Sequence, residues 1–188
     1  VRTRQALAAA LTSLLERKPL EEISVAELCR EAGVHRTTFY GHFDGVPEFA
    51  LAEFSRGIDV IAEVQVDAGA ATSVAVAERY LESLRAQLAH VLEERAGYRM
   101  LFGPATRRVF RAALDDRLRH RAELALAVWR DQDVPGAPRT EAEIREAAAF
   151  IAGGLVGVIE TWALGDETGV DAAGARVYDL MPSWWPRA

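Results

Sequence analysis

An all-α fold is predicted by three observations. Apolar residues recur at i, i+3, i+4 and i+7 through nearly every segment that lies between turn signals. No stretch alternates with the period of a strand. Half of the 188 residues are hydrophobic and alanine and leucine dominate, a composition of packed helices rather than of a disordered chain. That length allows one large or two small domains with a real core.

The first helix is expected over Thr3 to Arg17, with Leu7, Leu11, Leu14 and Leu15 as its apolar stripe. Lys18-Pro19 ends it, because proline cannot continue a helix. Arg2 and Arg4 at its start are read either as phosphate contacts or as solvated side chains.

The next stretch, Ser24 to Phe43, reads SVAELCREAGVHRTTFYGHF. Ser24 is an N-cap candidate and Glu27, three residues on, completes a capping box. Val25, Leu28, Cys29 and Ala32 form one apolar stripe. Gly33 falls where a left-handed residue must close the helix, and Val34 is a candidate buried elbow. A second helix restarts at His35 or Arg36. It turns Phe39 and Phe43 inward and leaves Arg36, Thr37, Tyr40, Gly41 and His42 outward. Helix, glycine turn, helix is the layout of a helix-turn-helix, whose second helix enters the DNA major groove, and also of an ordinary packed pair. The outward chemistry favours DNA. Arginine bonds a guanine edge, threonine meets a base or a thymine methyl, and tyrosine and histidine reach phosphate. No acidic residue lies between Gly33 and Phe43.

The run AGVHRTTFYGHF resembles the signature of the TetR family of transcriptional regulators, and residues 2 to about 60 resemble that family's DNA-binding domain. The resemblance implies that Arg36, Thr37 and Thr38 face bases and that Tyr40, Gly41 and His42 meet base or backbone. It places Ser24 and Val25 near phosphates. It implies a three-helix DNA-binding head over residues 1–47 (motif 24–43) and a larger helical body, an effector-binding and dimerisation domain, over 48–188. Two positions depart from the pattern: Val46 stands where a phosphate-contacting lysine is usual, and Gly41 where a larger side chain is usual.

The body continues the helical pattern. Asp44-Gly45 is a turn, and Val46-Pro47-Glu48 opens a fourth helix, proline suiting the first turn and glutamate the positive end. Phe49, Leu51, Phe54, Ile58 and Ile61 carry that helix to about Val66, the natural link between head and body. A small-residue break, Asp67 to Ser73, precedes a helix from Thr72 to Arg95 with Ala77, Leu81, Leu84, Leu88, Val91 and Leu92 on one face. Gly97 interrupts, and Tyr98, Leu101 and Phe102 form a short aromatic helix ended by Gly103-Pro104. A helix from Ala105 to Asp131 turns Phe110, Leu114, Leu118, Leu124 and Val128 inward. Its arginines (107, 108, 111, 117, 119 and 121) are either an anion patch or a solvated face paired with Asp115, Asp116 and Glu123. After a loop at Val134 to Arg139, Thr140 and Glu143 form a second capping box. They open a helix to Leu164 whose apolar face holds Ile144, Ala148, Ile151, Leu155, Val158, Ile159 and Trp162. Ala149, Gly153 and Gly157 recur every fourth residue on that helix. Each mid-helix glycine costs about 1 kcal/mol against alanine, which makes sense where another backbone comes close. A last helix spans Asp171 to Met181, with Ala172, Ala173, Gly174 and Ala175 small, and Trp184 and Trp185 either fold back or stay exposed.

GGLVGVIETWAL resembles the penultimate helix of one TetR subgroup, where the last two long helices of each subunit form a four-helix dimer interface. That places Ala149, Gly153, Gly157 and Trp162 at or near a two-fold axis. Tyr80, Tyr98, Phe102, Phe110 and Trp129 are the aromatic candidates for an effector pocket among the middle helices.

Charge is weak support for nucleic acid. The net charge is −6, and residues 1–43 hold six basic and five acidic side chains. The one cysteine, Cys29, sits on an apolar helix face and suits a packing role and a cytoplasmic home. The apolar run Ala147 to Ile159 contains three glycines and is expected to be too short to span a bilayer. No signal peptide is visible, and a native arm is expected ahead of Val1. The four histidines show no metal spacing, and no phosphate-loop, dinucleotide or hydrolase motif occurs, so neither enzyme chemistry nor a metal or cofactor is expected. The expectation is a DNA-binding regulator, most simply a repressor. It binds double-stranded operator DNA as a homodimer and is released by a small molecule. The rival is a TetR-like helical adaptor acting through protein contacts.

Overall fold

The computed structural model describes residues 2–53, 72–104 and 106–187. Its helices are α1 (Arg2–Leu15), α2 (Val25–Ala32), α3 (Arg36–Tyr40), α4 (described over 46–53), α5 (Ser73–Glu93), α6 (Arg95–Leu101), α7 (Arg107–Asp131), α8 (Glu141–Leu164) and α9 (Val170–Leu180). A 3-10 turn at Leu20–Glu22 joins α1 to α2, and no strand occurs among the described residues. The fold is all-α. Phe54, Ile58, Ile61 and the break after Val66, assigned above to the link and its end, lie outside the described residues.

The head closes around aromatic and leucine side chains. Leu7, Leu11 and Leu14 of α1 meet Leu28 and Cys29 of α2, with Phe39 of α3 and Phe49 of α4 buried beside them. The ring of Phe43 lies 5.6 Å from Phe39 and 4.9 Å from Phe49. Each such phenyl contributes about 1.5–3 kcal/mol on burial. This is what sets α3 at a fixed angle, since five residues of helix cannot hold themselves.

The turn between α2 and α3 forms as its residues demand. Gly33 adopts φ 64°, ψ 32°, the left-handed region, and the Val34 N–H returns to the Cys29 carbonyl at 2.9 Å. Val34 is half-buried rather than buried. Only half of the capping box at Ser24 forms. The Ser24 hydroxyl accepts from the Glu27 N–H at 3.2 Å, but the Glu27 carboxylate is taken by Lys18 Nζ at 2.5 Å. An ammonium offers it a stronger partner than a backbone amide.

In the body, α8 is the central helix and packs along α7, with α5 and α6 against it as well. The capping box at Thr140 and Glu143 is complete. The break after α5 comes at Glu94, while Gly97 is buried inside α6 and does not interrupt it. Thr106 ends α6, its hydroxyl donating 3.0 Å bonds to the Met100 and Leu101 carbonyls. The C-terminus of α8 is closed by Arg99, which donates to the Ala163 and Gly165 carbonyls at 3.1 and 2.9 Å and pairs with Asp166.

Leu124 is half exposed, contrary to its expected inward position. Ala122, Ala125, Leu126 and Trp129 take the buried side of α7. A helix of 25 residues drifts against a simple fourfold spacing, and its buried stripe follows the neighbour it packs on. α8 also corrects an expectation. At 24 residues and mean hydropathy 1.7 it is long and apolar enough to cross a membrane by length and composition. It is nonetheless a core helix here: Ala148, Ala152, Val156 and Ile159 are buried, and buried Glu160 is held by Arg107 at 2.8 Å and by Arg111. One cluster of buried apolar side chains runs on from the head into the body.

Candidate nucleic-acid interface and effector cavity

α3 presents one continuous polar surface. His35, Arg36, Thr37, Thr38, Tyr40, Gly41 and His42 are all exposed, and only Phe39 among them is buried. Tyr40, 58% exposed, stands edge-on to Phe39 with its ring outward. Ser24 is exposed and Val25 half-buried at the start of α2, beside this surface. The cations of the head divide into two sets. Arg4 is committed to Glu53 at 2.5 Å and to the Ala52 carbonyl, Arg17 to Glu31, and Lys18 to Glu27. A phosphate role for Arg4 would require breaking its own pair. Arg36 makes no ion pair among the described residues and projects from the first turn of α3.

The described part of the body holds a small cavity between α5, α7, α8 and the segment after α9. Leu84, Leu118, Ile151 and Leu155 give it apolar walls, and Tyr80, Gln87, Arg121 and Trp185 also line it. Its volume is about 40 Å³. That is room for water but far below the roughly 300–1,000 Å³ of a ligand pocket, so a larger guest has to displace side chains.

Of the five aromatic candidates, only Tyr80 lines it. Tyr98, Phe102 and Phe110 pack on one another in the main core, with centroids 4.9–6.0 Å apart, and burial raises the Tyr98 hydroxyl above its ordinary pKa. Trp129 is wholly buried behind Trp185 and donates its indole N–H to the Ser73 carbonyl at 3.4 Å. Large aromatic side chains bury well, and that alone accounts for these four.

The residues that do shape the cavity were hidden in other patterns. Arg121 falls three residues after Leu118 and seven after Leu114, on the stripe of α7 that also holds Arg107 and Arg111, so helical phase separates these three from Arg108 and Arg119. Its guanidinium lies 5.4 Å over the Tyr80 ring, and Nη2 donates to Ser83 Oγ at 2.8 Å. Its carbonyl accepts from the Tyr80 hydroxyl at 2.7 Å. Burial pulls its pKa below the ordinary arginine value and pushes that of Tyr80 up. No carboxylate pairs with Arg121 among the described residues. Trp185 folds back, 4% exposed, with its ring 6.3 Å from Tyr80.

The glycine-marked side of α8 is open. A Cβ added at Gly153, Gly154 or Gly157 would meet nothing within 4 Å. Phe150 (72% exposed), the glycines, Thr161 and Leu164 (51%) form a stripe along the outer side. Ala149 is half-buried at its edge. Trp162 departs from the expectation. It is buried in its own subunit and donates its indole N–H to the Leu88 carbonyl at 2.9 Å. Nine residues after Gly153 is two and a half turns, which carries it to the opposite face.

No family model and no curated protein matches the chain. Solved structures do. A Syntrophomonas wolfei protein assigned to the TetR family of transcriptional regulators is 17% identical and superposes with a TM-score of 0.69 over 95% of this chain and 92% of its own. The dihydroxyacetone kinase operon activator DhaS is 17% identical, with a TM-score of 0.68 over 95% of this chain and 93% of its own. RolR in complex with resorcinol is 20% identical, with a TM-score of 0.62 over 95% and 87%. The fold is that of TetR-type regulators.

Within that TetR fold, the two departures noted in the sequence have physical settings. Val46 is 3% exposed and part of the head's core, so a lysine there would have to leave the core to reach phosphate. Gly41 has φ −70° and ψ −10°, and a Cβ there would meet only the Thr37 and Thr38 carbonyls at an ordinary 3.5 Å. Its backbone accepts any residue. Beyond it, Glu48 accepts from the Asp44 N–H at 2.6 Å, and both carboxylates are exposed at the end of the α3 surface.

Proposed function

We propose that this protein is a ligand-responsive transcriptional regulator, a repressor that binds a pseudo-palindromic operator as a homodimer and is released by a small molecule. The observation that carries the reading is the outward surface of α3: exposed, free of acids from Gly33 to Phe43, and headed by an arginine with no ion pair among the described residues. Residues 1–47 serve DNA and residues 48–188 serve effector binding and dimerisation. Arg36, Thr37 and Thr38 read bases. Tyr40, Gly41 and His42 meet base or backbone, and Ser24 and Val25 lie near phosphate.

The open stripe on α8 supports dimerisation, with Gly153 and Gly157 admitting the partner's helix. Two copies then set their recognition helices in successive major grooves, about 34–36 Å apart. Effector favours a different head spacing, and α4 is the connection that transmits it. By linkage, effector and DNA weaken one another by the same factor. Repression is the simpler outcome of effector-driven release, although DhaS, with the same fold, bears the name of an activator.

Selection of bound sequences from random duplexes, followed by anisotropy titration, tests this. A recurring palindromic site whose binding is lost in Arg36→Ala/Tyr40→Ala supports the regulator. Absence of any sequence preference across the salt range sinks it and leaves the adaptor.

A further inference from the structure

Two donors on side chains that line the cavity in the body have no acceptor among the described residues. Trp185 is 4% exposed, and its indole N–H, which can only donate, is buried with no hydrogen-bond partner. The Arg121 Nε–H is likewise buried and unpartnered, on a guanidinium whose other recorded side-chain bond goes to a neutral hydroxyl. No Asp or Glu is among the described residues that line the cavity. A half-buried guanidinium without a counter-charge and an orphaned indole N–H are both unfavourable, and a guest that supplies negative oxygens relieves both. The remaining walls, Leu84, Leu118, Ile151 and Leu155, suit a hydrocarbon body.

We infer that this cavity is a carboxylate-binding subsite: the effector is a small organic acid. Its carboxylate pairs with the Arg121 guanidinium and accepts from the Trp185 indole, while its apolar body displaces the leucine and isoleucine side chains that now close the space of about 40 Å³. The fork of an arginine suits a planar two-oxygen acceptor better than a hydroxyl or an ether. This rests on the effector role proposed for the body and adds its chemistry.

Calorimetry on the intact protein with benzoate, phenylacetate and hexanoate, each beside its uncharged amide, tests the inference. Saturable binding of at least one acid, with its amide weaker by roughly tenfold or more, is expected. Arg121→Gln should abolish that preference, Arg121→Lys should keep part of it, and Trp185→Phe, which retains the ring, should weaken the acid several-fold. Circular dichroism melts establish that each variant is folded. Equal binding of acid and amide, no saturable binding by any of the acids, or an acid preference that survives Arg121→Gln overturns the inference. If amides bind and release DNA while acids do not, the subsite chemistry fails and the regulator stands. If acids bind as described but no DNA sequence is preferred, the converse holds.

Discussion

Trp185 stands edge-on to Trp129, ring centroids 4.2 Å apart and planes at 72°, and this contact pins the C-terminal segment onto the body. Trp129 reaches it from the end of α7, Trp184 flanks it at 6.2 Å, and Tyr178 donates its hydroxyl to the Pro186 carbonyl at 2.6 Å. The segment after α9 is thereby a wall of the body rather than a tail.

Trp185→Ala should therefore destabilise the protein by about 3–5 kcal/mol, the cost of removing a large buried aromatic side chain and leaving its space. Denaturant unfolding checks this, with Trp185→Phe expected to lose much less.

Arg36→Ala should leave the melting curve unchanged, since the side chain is exposed and unpaired, yet weaken binding to a selected duplex by about 1–3 kcal/mol. The discriminating measurement is a competition between the preferred sequence and single-base variants. Loss confined to one base pair marks a base contact. Uniform loss with a shallower salt slope marks phosphate.

Gly41→Lys should do the opposite. The backbone there is ordinary right-handed helix and the space beyond is open, so the substitution costs nothing in strain. Placed on the α3 surface, an added cation should tighten binding to any duplex. It should steepen the dependence of log K on log salt by about one. Anisotropy at four or five salt concentrations gives the slope.

Gly33 behaves differently because its φ is 64°. Gly33→Ala should cost about 1–2 kcal/mol although nothing crowds the new Cβ, and Gly33→Asn, which tolerates the left-handed region, should cost less. Equal stability of the two variants by thermal unfolding would contradict this account.

These contrasts show where the chain could be read directly. Gly33, Phe39 and Thr140 act through bonds within one turn or one helix face, so spacing alone located the turn, the inward ring and the cap. The cavity was not legible in that way. It is bounded by α5, α7, α8 and the segment after α9, and which of many aromatic residues meet across such distances depends on packing that periodicity does not encode. Tyr98, Phe102, Phe110 and Trp129 went to the core for that reason. Arg121 was the partial exception, a charge on an apolar stripe. Trp162 shows a smaller failing: it was grouped with Gly153 and Gly157 by family likeness, when its helical phase already set it on the far side.

Phe150→Asp together with Leu164→Asp should convert the proposed dimer to a monomer without unfolding it, since both side chains are exposed in the single chain. Sedimentation equilibrium reads the mass. Operator affinity should fall steeply in the same variant, because one head then binds without its mate. A wild-type chain that sediments as a monomer across the accessible concentration range would remove the basis for this prediction.

Cys29 of α2 lies in the core of the head at 2% exposure, and burial raises its thiol pKa. As the single sulfhydryl of the chain, it makes the head self-reporting. A thiol reagent added to native protein is consumed only as that burial is relieved, so its rate records how often the packing around α2 opens.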